Sequence, residues 1–244
     1  MKTLLTLLFL LIFFIISIPL LIVEIIIGKI NPHAKIRSSQ AIVVSAFRII
    51  LSFCGVKKTV LGLENIPKDE AVLYVSNHRS YFDILIGYTS VPTLTGFVAK
   101  KEMAHIPFIS WWMRFLNCLF LDRDNVREGL KTILEGVELI KKGYSIFISP
   151  EGTRSQSSEM LPFKEGSLKM AEKTGCAIIP VSISNTDTIF ENHMPWIKRA
   201  HVVIEFGKPV YPSELDKESR KFIGSYVQNI IRETLNKNAQ LVQF

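Results

Sequence analysis

The longest unbroken apolar run lies at the start of the chain, where Leu4 to Ile27 is interrupted only by Thr6, Ser17, Pro19 and Glu24. It is long enough to cross a bilayer, which takes about 20 apolar residues. A polar stretch from Lys29 to Gln40 follows, and Ala41 to Phe53 is apolar again except for Ser45, Arg48 and Ser52. The second run is too short to span comfortably. Two arrangements fit this pattern. The first run crosses the membrane alone, or two helices joined by a polar turn form a hairpin that enters one leaflet, with Arg48 reaching to the headgroups. A buried core helix would suit Ala41 to Phe53 but not Leu4 to Ile27. Nothing between Ser17 and Lys29 resembles a small-residue cleavage site, so the run is expected to be retained as an anchor. Lys2 alone precedes it, whereas Lys29, Lys35 and Arg37 follow. If it spans, the excess of positive charge puts the rest of the chain in the cytoplasm.

From Leu61 the pattern changes to short β-rich runs alternating with helical stretches. The runs are Ala71 to Val75, Gly96 to Ala99, Cys118 to Leu121, Ser145 to Ser149, Ala177 to Ile183 and His201 to Phe206. Such alternation predicts an α/β fold, a mixed sheet flanked by helices. The clearest helix runs from Val126 to Lys142, with an apolar face of Val126, Leu130, Ile133, Leu134, Val137 and Ile140. Asp124 or Asn125 would cap it, and Gly143 follows its end. A second helix is predicted after Pro212-Ser213 as far as Lys237. The one composition boundary divides the chain into an anchoring region, residues 1–60, and an α/β domain, residues 61–244.

The length, 244 residues, suits one domain with an extra element at an end, and the formal net charge of +7 favours an anionic partner. A mean hydropathy of +0.27 is high for a soluble nucleic-acid binder, which argues against nucleic acid and for an anionic lipid surface or a phosphorylated substrate. Cys54, Cys118 and Cys176 are widely separated and embedded in apolar sequence. They form neither a disulfide framework nor a zinc spacing, and read as buried thiols in a reducing compartment.

Chemistry concentrates at the ends of the predicted strands, where α/β sheets build their sites. Asn77-His78-Arg79-Ser80-Tyr81-Phe82-Asp83 follows the first of them. Residues five apart cannot share one face of a continuous helix. His78 is therefore expected in the loop, with Ser80 at a helix N-cap and Asp83 at the third helical position, its carboxylate turned back to the imidazole as a general base requires. Ser80-x-x-Asp83 also reads as a plain capping box. Lys100-Lys101-Glu102 and Asp122-Arg123 close two further strands, and each offers a cation for a phosphate or simply a solvated charge pair. Ser149-Pro150-Glu151-Gly152-Thr153-Arg154-Ser155 closes another. There Gly152 permits a tight turn, backbone amides and hydroxyls can donate to an anion, and Arg154 adds a planar charge. Glu151 either orients Arg154 or accepts from a substrate hydroxyl.

These blocks, with Phe163-Lys164-x-Gly166 and Ile178-Ile179-Pro180-Val181, resemble in order the glycerolipid acyltransferase family. The likeness is greatest to its bacterial 1-acyl-sn-glycerol-3-phosphate acyltransferases, and covers Leu61 to Pro209. The resemblance implies a membrane-bound enzyme, with its catalytic domain on the cytoplasmic side of the cell membrane. It would move a fatty acyl chain from an acyl thioester, carried by coenzyme A or acyl carrier protein, to lysophosphatidic acid. It implies no cofactor and no metal. Carried over by position, His78 is the general base and Asp83 its partner. Arg123, Gly152, Thr153 and Arg154 hold the acceptor's phosphate, Lys100 assists, Glu151 positions the glycerol, and Pro180 belongs to the acyl side. Asn117, Ser149 and Ser167 depart from the residues usual at their positions, which bears on acceptor and chain preference. Other readings are an acyltransferase for another lysolipid, a Ser80-His78-Asp83 hydrolase triad, a metal site of His78, Asp83, Glu102 and His105, and a non-enzymatic protein that binds anionic lipid.

Overall fold

The computed structural model describes residues 1–157 and 159–242. Seven strands form one sheet in the order β1-β7-β6-β2-β5-β3-β4. They are β1 (Lys57–Leu61), β2 (Leu73–Ser76), β3 (Thr95–Lys100), β4 (Leu119–Leu121), β5 (Ser145–Ile148), β6 (Ile178–Ser184) and β7 (His201–Phe206). The sheet is mixed: all neighbours are parallel except β6 and β7. The six expected strands are present, and β1 is an addition inside the stretch assigned to the anchor. Its residues are half-buried or exposed, so this edge strand carries no continuous apolar run for sequence reading to detect.

Period-two alternation divides the core between the sheet's faces. Tyr74, Phe97, Phe147, Ile179 and Val181 pack with α1 (Lys2–Ile30), α2 (Pro32–Cys54), α3 (Phe82–Tyr88) and α4 (Ile109–Phe115). Leu73, Val75, Ile146, Ile148 and Ile178 pack with α5 (Val126–Lys141), α6 (Lys169–Thr174) and the last helix of the chain (Ile223–Asn238). Asn125 caps α5 by accepting from the Arg127 and Glu128 amides, and Gly143 follows with φ of 87°. The C-terminal helix is broken into α7 (Lys217–Lys221) and α8 (Ile223–Asn238) at Phe222. Asp216 caps α7, but the first amides of α8 are met from elsewhere in the chain, Gly224 N–H donating to Glu165 Oε2 at 2.7 Å and Ser225 N–H to Oε1 at 3.2 Å. A cap so remote leaves no local signal.

The N-terminal pair is a helical hairpin whose turn is the single residue Asn31, with Pro32 at the first position of α2. The polar stretch expected as a turn is therefore helical through residue 40. Its polar groups are matched: Ser38 and Ser39 hydroxyls donate to Glu24 at 2.8 and 3.0 Å, and Gln40 bonds the Thr93 carbonyl and Thr95 amide at 2.9 Å each. α1 is inverted relative to a soluble amphipathic helix. Its buried residues are Thr6, Ser17, Leu21 and Glu24, whereas Leu4, Leu8, Leu11, Ile15, Ile22 and Ile26 are each more than half exposed. The polar side also ties it to α2, where Lys2 Nζ donates to the Cys54 carbonyl, and to the domain, where Thr3 Oγ1 accepts from the Ile197 amide and Ser17 Oγ from Trp112 Nε1.

Candidate active site

β2 lies at the centre of the sheet, where connections diverge: the chain leaves it for β3 on one side, while β6 pairs with it on the other. Such switch points open a crevice at the strands' carboxyl ends. Asn77 closes β2 by pairing with the backbone of Ile183 at 2.9 Å in both directions. His78 then leaves the sheet.

The His78 loop is set by one carboxylate. Asp83 Oδ2 accepts from His78 Nδ1 at 2.8 Å and from the Arg79 and Ser80 amides at 2.8 Å each. Its Oδ1 accepts from the buried Thr186 hydroxyl. The capping box and the oriented imidazole are therefore one arrangement. Tyr81 already has helical φ and ψ before α3, and Ser80 Oγ accepts from the Phe82 amide at 3.0 Å, so Ser80 does the capping. An ionised carboxylate only accepts, so the hydrogen bond assigns the proton to Nδ1 and leaves Nε2 with a lone pair. The imidazole is one-fifth exposed and Asp83 almost fully buried. Ser80 Oγ donates to Glu191 Oε2 at 2.7 Å instead of addressing the imidazole, which removes the hydrolase triad as a reading of this site.

A second carboxylate locks the loop to its neighbour. Glu151 Oε1 accepts from the His78 amide at 2.7 Å and Oε2 from the Leu161 amide at 2.8 Å, while the Ser155 amide donates to the His78 carbonyl at 2.8 Å. Burial pushes the Glu151 carboxyl up, against the pull of these two amides. Glu151 thus holds backbone and does not contact Arg154, the partner considered for it.

Beside this joint is a cavity of about 260 Å³ lined by Lys100, Lys101, Glu102, Leu121, Arg123, Asp124, Glu151, Gly152, Thr153 and Lys164. With charged side chains over most of its lining, it suits a small polar group. Lys101 is neutralised by Asp122 at 3.0 Å and Asp124 at 3.8 Å, and Asp122 also takes the Asp124 and Asn125 amides. Asp122 is thereby occupied without Arg123. Arg123 Nε is buried with no partner, and burial lowers the guanidinium's pKa. Gly152, at φ of 78°, lies against two cations: a Cβ there would stand 3.2 Å from Lys164 Nζ and 3.7 Å from Arg123 Nε. Glycine is favoured at this point by its left-handed backbone.

The structure therefore brings Lys100, Arg123, Glu151, Gly152 and Thr153 together around one cavity, with His78 and Asp83 joined to it through Glu151. Arg154 is not among the lining residues. It pairs with Glu191 at 3.2 Å and stacks on Tyr81, 3.6 Å from the ring centroid. Lys164 is present without having been given a role, although it stands in a quoted block. Thr186, Asp187 and Glu191 were missed, since more than a hundred residues separate them from the loop they touch. Asn117 adopts a positive φ, 55°, and a side chain at Gly96 would collide with its carbonyl.

Comparisons with known proteins agree on one family. The Acyltransferase family profile matches residues 57–184. A 1-acyl-sn-glycerol-3-phosphate acyltransferase of Borreliella burgdorferi is 30% identical over 206 residues, 82% of this chain and 78% of that protein. One of Saccharomyces cerevisiae is 31% identical over 187 residues, 75% of this chain. The chain spans 60% of the yeast protein's length and about half, 51%, of a chloroplastic relative from Brassica napus. Among solved structures, the 1-acyl-sn-glycerophosphate acyltransferase PlsC of Thermotoga maritima superposes with a TM-score of 0.78 at 26% identity, covering 97% of both chains.

Proposed function

This chain belongs to the acyltransferase family, and we propose that it acylates the free hydroxyl of 1-acyl-sn-glycerol 3-phosphate to give phosphatidic acid. The observation that carries this reading is an imidazole with a free Nε2 beside a small cavity in which Lys100, Arg123 and Lys164 form no ion pair among the described residues, although Glu102 and Asp124 line it with them. That pairing suits an acceptor whose hydroxyl must be deprotonated while its phosphate is held.

In the proposed reaction His78 Nε2 takes the proton of the acceptor hydroxyl as its oxygen attacks the thioester carbonyl carbon. Asp83 stabilises the imidazolium through Nδ1. Collapse of the tetrahedral intermediate breaks the C–S bond, and the imidazolium returns its proton to the departing thiolate. Arg123, Lys164 and Lys100 bind the phosphate over Gly152 and Thr153, and Glu151 keeps the His78 backbone in register with them. The donor is an acyl thioester of coenzyme A or of acyl carrier protein.

Membrane association follows from α1. Its apolar face is turned outward, and its polar face is bonded to α2 at Lys2 and Glu24 and to the domain at Thr3 and Ser17. A helix fastened to the domain over that length supports a hairpin lying in one leaflet and disfavours a lone span. The hairpin is thus the anchoring region and the remainder the catalytic domain. The basic residues after α1 favour the cytoplasmic face of the cell membrane.

The test is acyl transfer from a labelled acyl thioester to lysophosphatidic acid by the purified full chain in liposomes, with His78→Ala in parallel. Coenzyme A and acyl carrier protein donors are assayed side by side. Phosphatidic acid from the wild type alone is expected. Transfer to acceptors lacking the phosphomonoester, with none to lysophosphatidic acid, would overturn the acceptor assignment.

A further inference from the structure

The segment after β6 has no part in the reaction as proposed, yet it holds most of the loop that does. Thr186 donates to Asp83 Oδ1, and Asp187 accepts from Arg79 Nη2 at 2.7 Å. Glu191 does more. Its Oε2 accepts from Ser80 Oγ at 2.7 Å, and its Oε1 from the Tyr81 amide at 2.7 Å and Arg154 Nη1 at 3.2 Å. Two of these donors belong to the His78 loop and the third to the loop after β5.

We propose that Glu191 and Arg154 form a latch that positions the His78 loop against the Pro150–Ser155 loop, so that Arg154 acts through Glu191 and not on the acceptor's phosphate. The proposal rests on the acyl-transfer reading. The two loops leave adjacent parallel strands, β2 and β5, and are already joined by Glu151 and Ser155 at the His78 backbone. That joint holds His78 and leaves Ser80 and Tyr81, the start of α3, to be held separately. Glu191 supplies this second joint, and α3 carries Asp83. Arg154 is satisfied on both its edge and its face: a carboxylate takes Nη1 and the Tyr81 ring covers the guanidinium plane. To reach the cavity it would have to give up both contacts, whereas Arg123 and Lys164 already stand there without an ion-pair partner among the described residues.

Glu191→Ala, Arg154→Ala and the double variant test this in the full chain. Acyl-transfer kinetics with lysophosphatidic acid varied are read beside amide hydrogen exchange of residues 78–83. The latch predicts that either single change lowers kcat about 10-fold or more, leaves KM for the acceptor within about 2-fold, and speeds exchange of the 78–83 amides by about 10-fold. The double variant is expected to be no worse than the worse single one, because the two residues form one unit. Glu191→Gln keeps the acceptor oxygen and should recover part of kcat. A thermal unfolding midpoint near that of the wild type separates a misplaced loop from an unfolded chain, and where Ala variants unfold, Glu191→Gln and Arg154→Lys carry the same comparison. Unchanged exchange, or a rise in KM confined to the Arg154 variants with kcat intact, overturns the latch. Faster exchange in the variants, when the wild type itself transfers no acyl group to lysophosphatidic acid, would keep the latch and refute the acceptor.

Discussion

Two groups of cations flank the His78 loop, and they are treated differently. On the cavity side, Lys100, Arg123 and Lys164 converge on Gly152 and Thr153 with no ion-pair partner among the described residues. On the other side, Arg79 is paired with Asp187 at 2.7 Å and Arg154 with Glu191 at 3.2 Å. Leaving a half-buried guanidinium nitrogen unbonded costs on the order of 1–3 kcal/mol, and an arriving anion removes that cost. Arg79 Nε is likewise buried without a hydrogen-bond partner, so what sets the paired arginines apart is the carboxylate at Nη, which leaves them to stiffen the loop between them. Equal charge thus serves two ends, and the distribution of carboxylates decides which.

The sharpest break of this comparison is at the residue both sides serve. His78→Ala is expected to lower kcat about 10²–10⁴-fold without changing the unfolding midpoint, and Asp83→Asn to do nearly as much by loosening the tautomer. Single-turnover transfer measures both. On the cavity side alone, Arg123→Ala should raise KM for lysophosphatidic acid about 10- to 100-fold, the worth of a charged hydrogen bond. Lys164→Ala should raise it less, because that lysine is exposed. An Arg123 variant with normal KM and reduced kcat would erase the distinction between the two sides.

A smaller effect sharpens it through pH. The folded-state pKa of Glu151 is raised by burial, so the folded chain holds its proton over a range where the unfolded chain has lost it. Stability therefore falls as pH rises from the ordinary glutamate value through the raised one, with the sign of ν_U − ν_N negative. Glu151→Gln should flatten that part of the stability curve, measured by denaturant unfolding between about pH 4 and 7, though it weakens the joint to the His78 amide. A slope that persists in the variant would place its origin elsewhere. The least effect is expected from ionic strength: raising salt from about 0.05 to 0.5 M should increase KM only a few-fold, since exposed Lys100 and Lys164 are screened and half-buried Arg123 is not.

Residues whose partners are near in the chain were readable. The His78–Asp83 contact follows from five positions and one helix start. Six of the strands announced themselves as apolar runs. β1 did not, because it opens on two lysines and none of its residues is buried, and neither did the break at Phe222, where the first amides of α8 are met by the distant Glu165. Glu151 and Arg154 were located correctly at a strand end, but nothing local says that the first would bond the His78 backbone or the second Glu191.

By itself, the sequence determined the layered α/β architecture, the loop that carries the histidine, the abundance of cations at the strand ends and an N-terminal helix too apolar for water. These depend on periodicity and on short-range geometry, which act within a few residues. Tertiary structure alone decided which cations remain unpaired, which face of α1 turns inward, and what secures the His78 loop. Each of those is a question of which polar group meets which across loops that the sheet order brings together, and the energy of a charge depends on that partner more than on the residue that bears it.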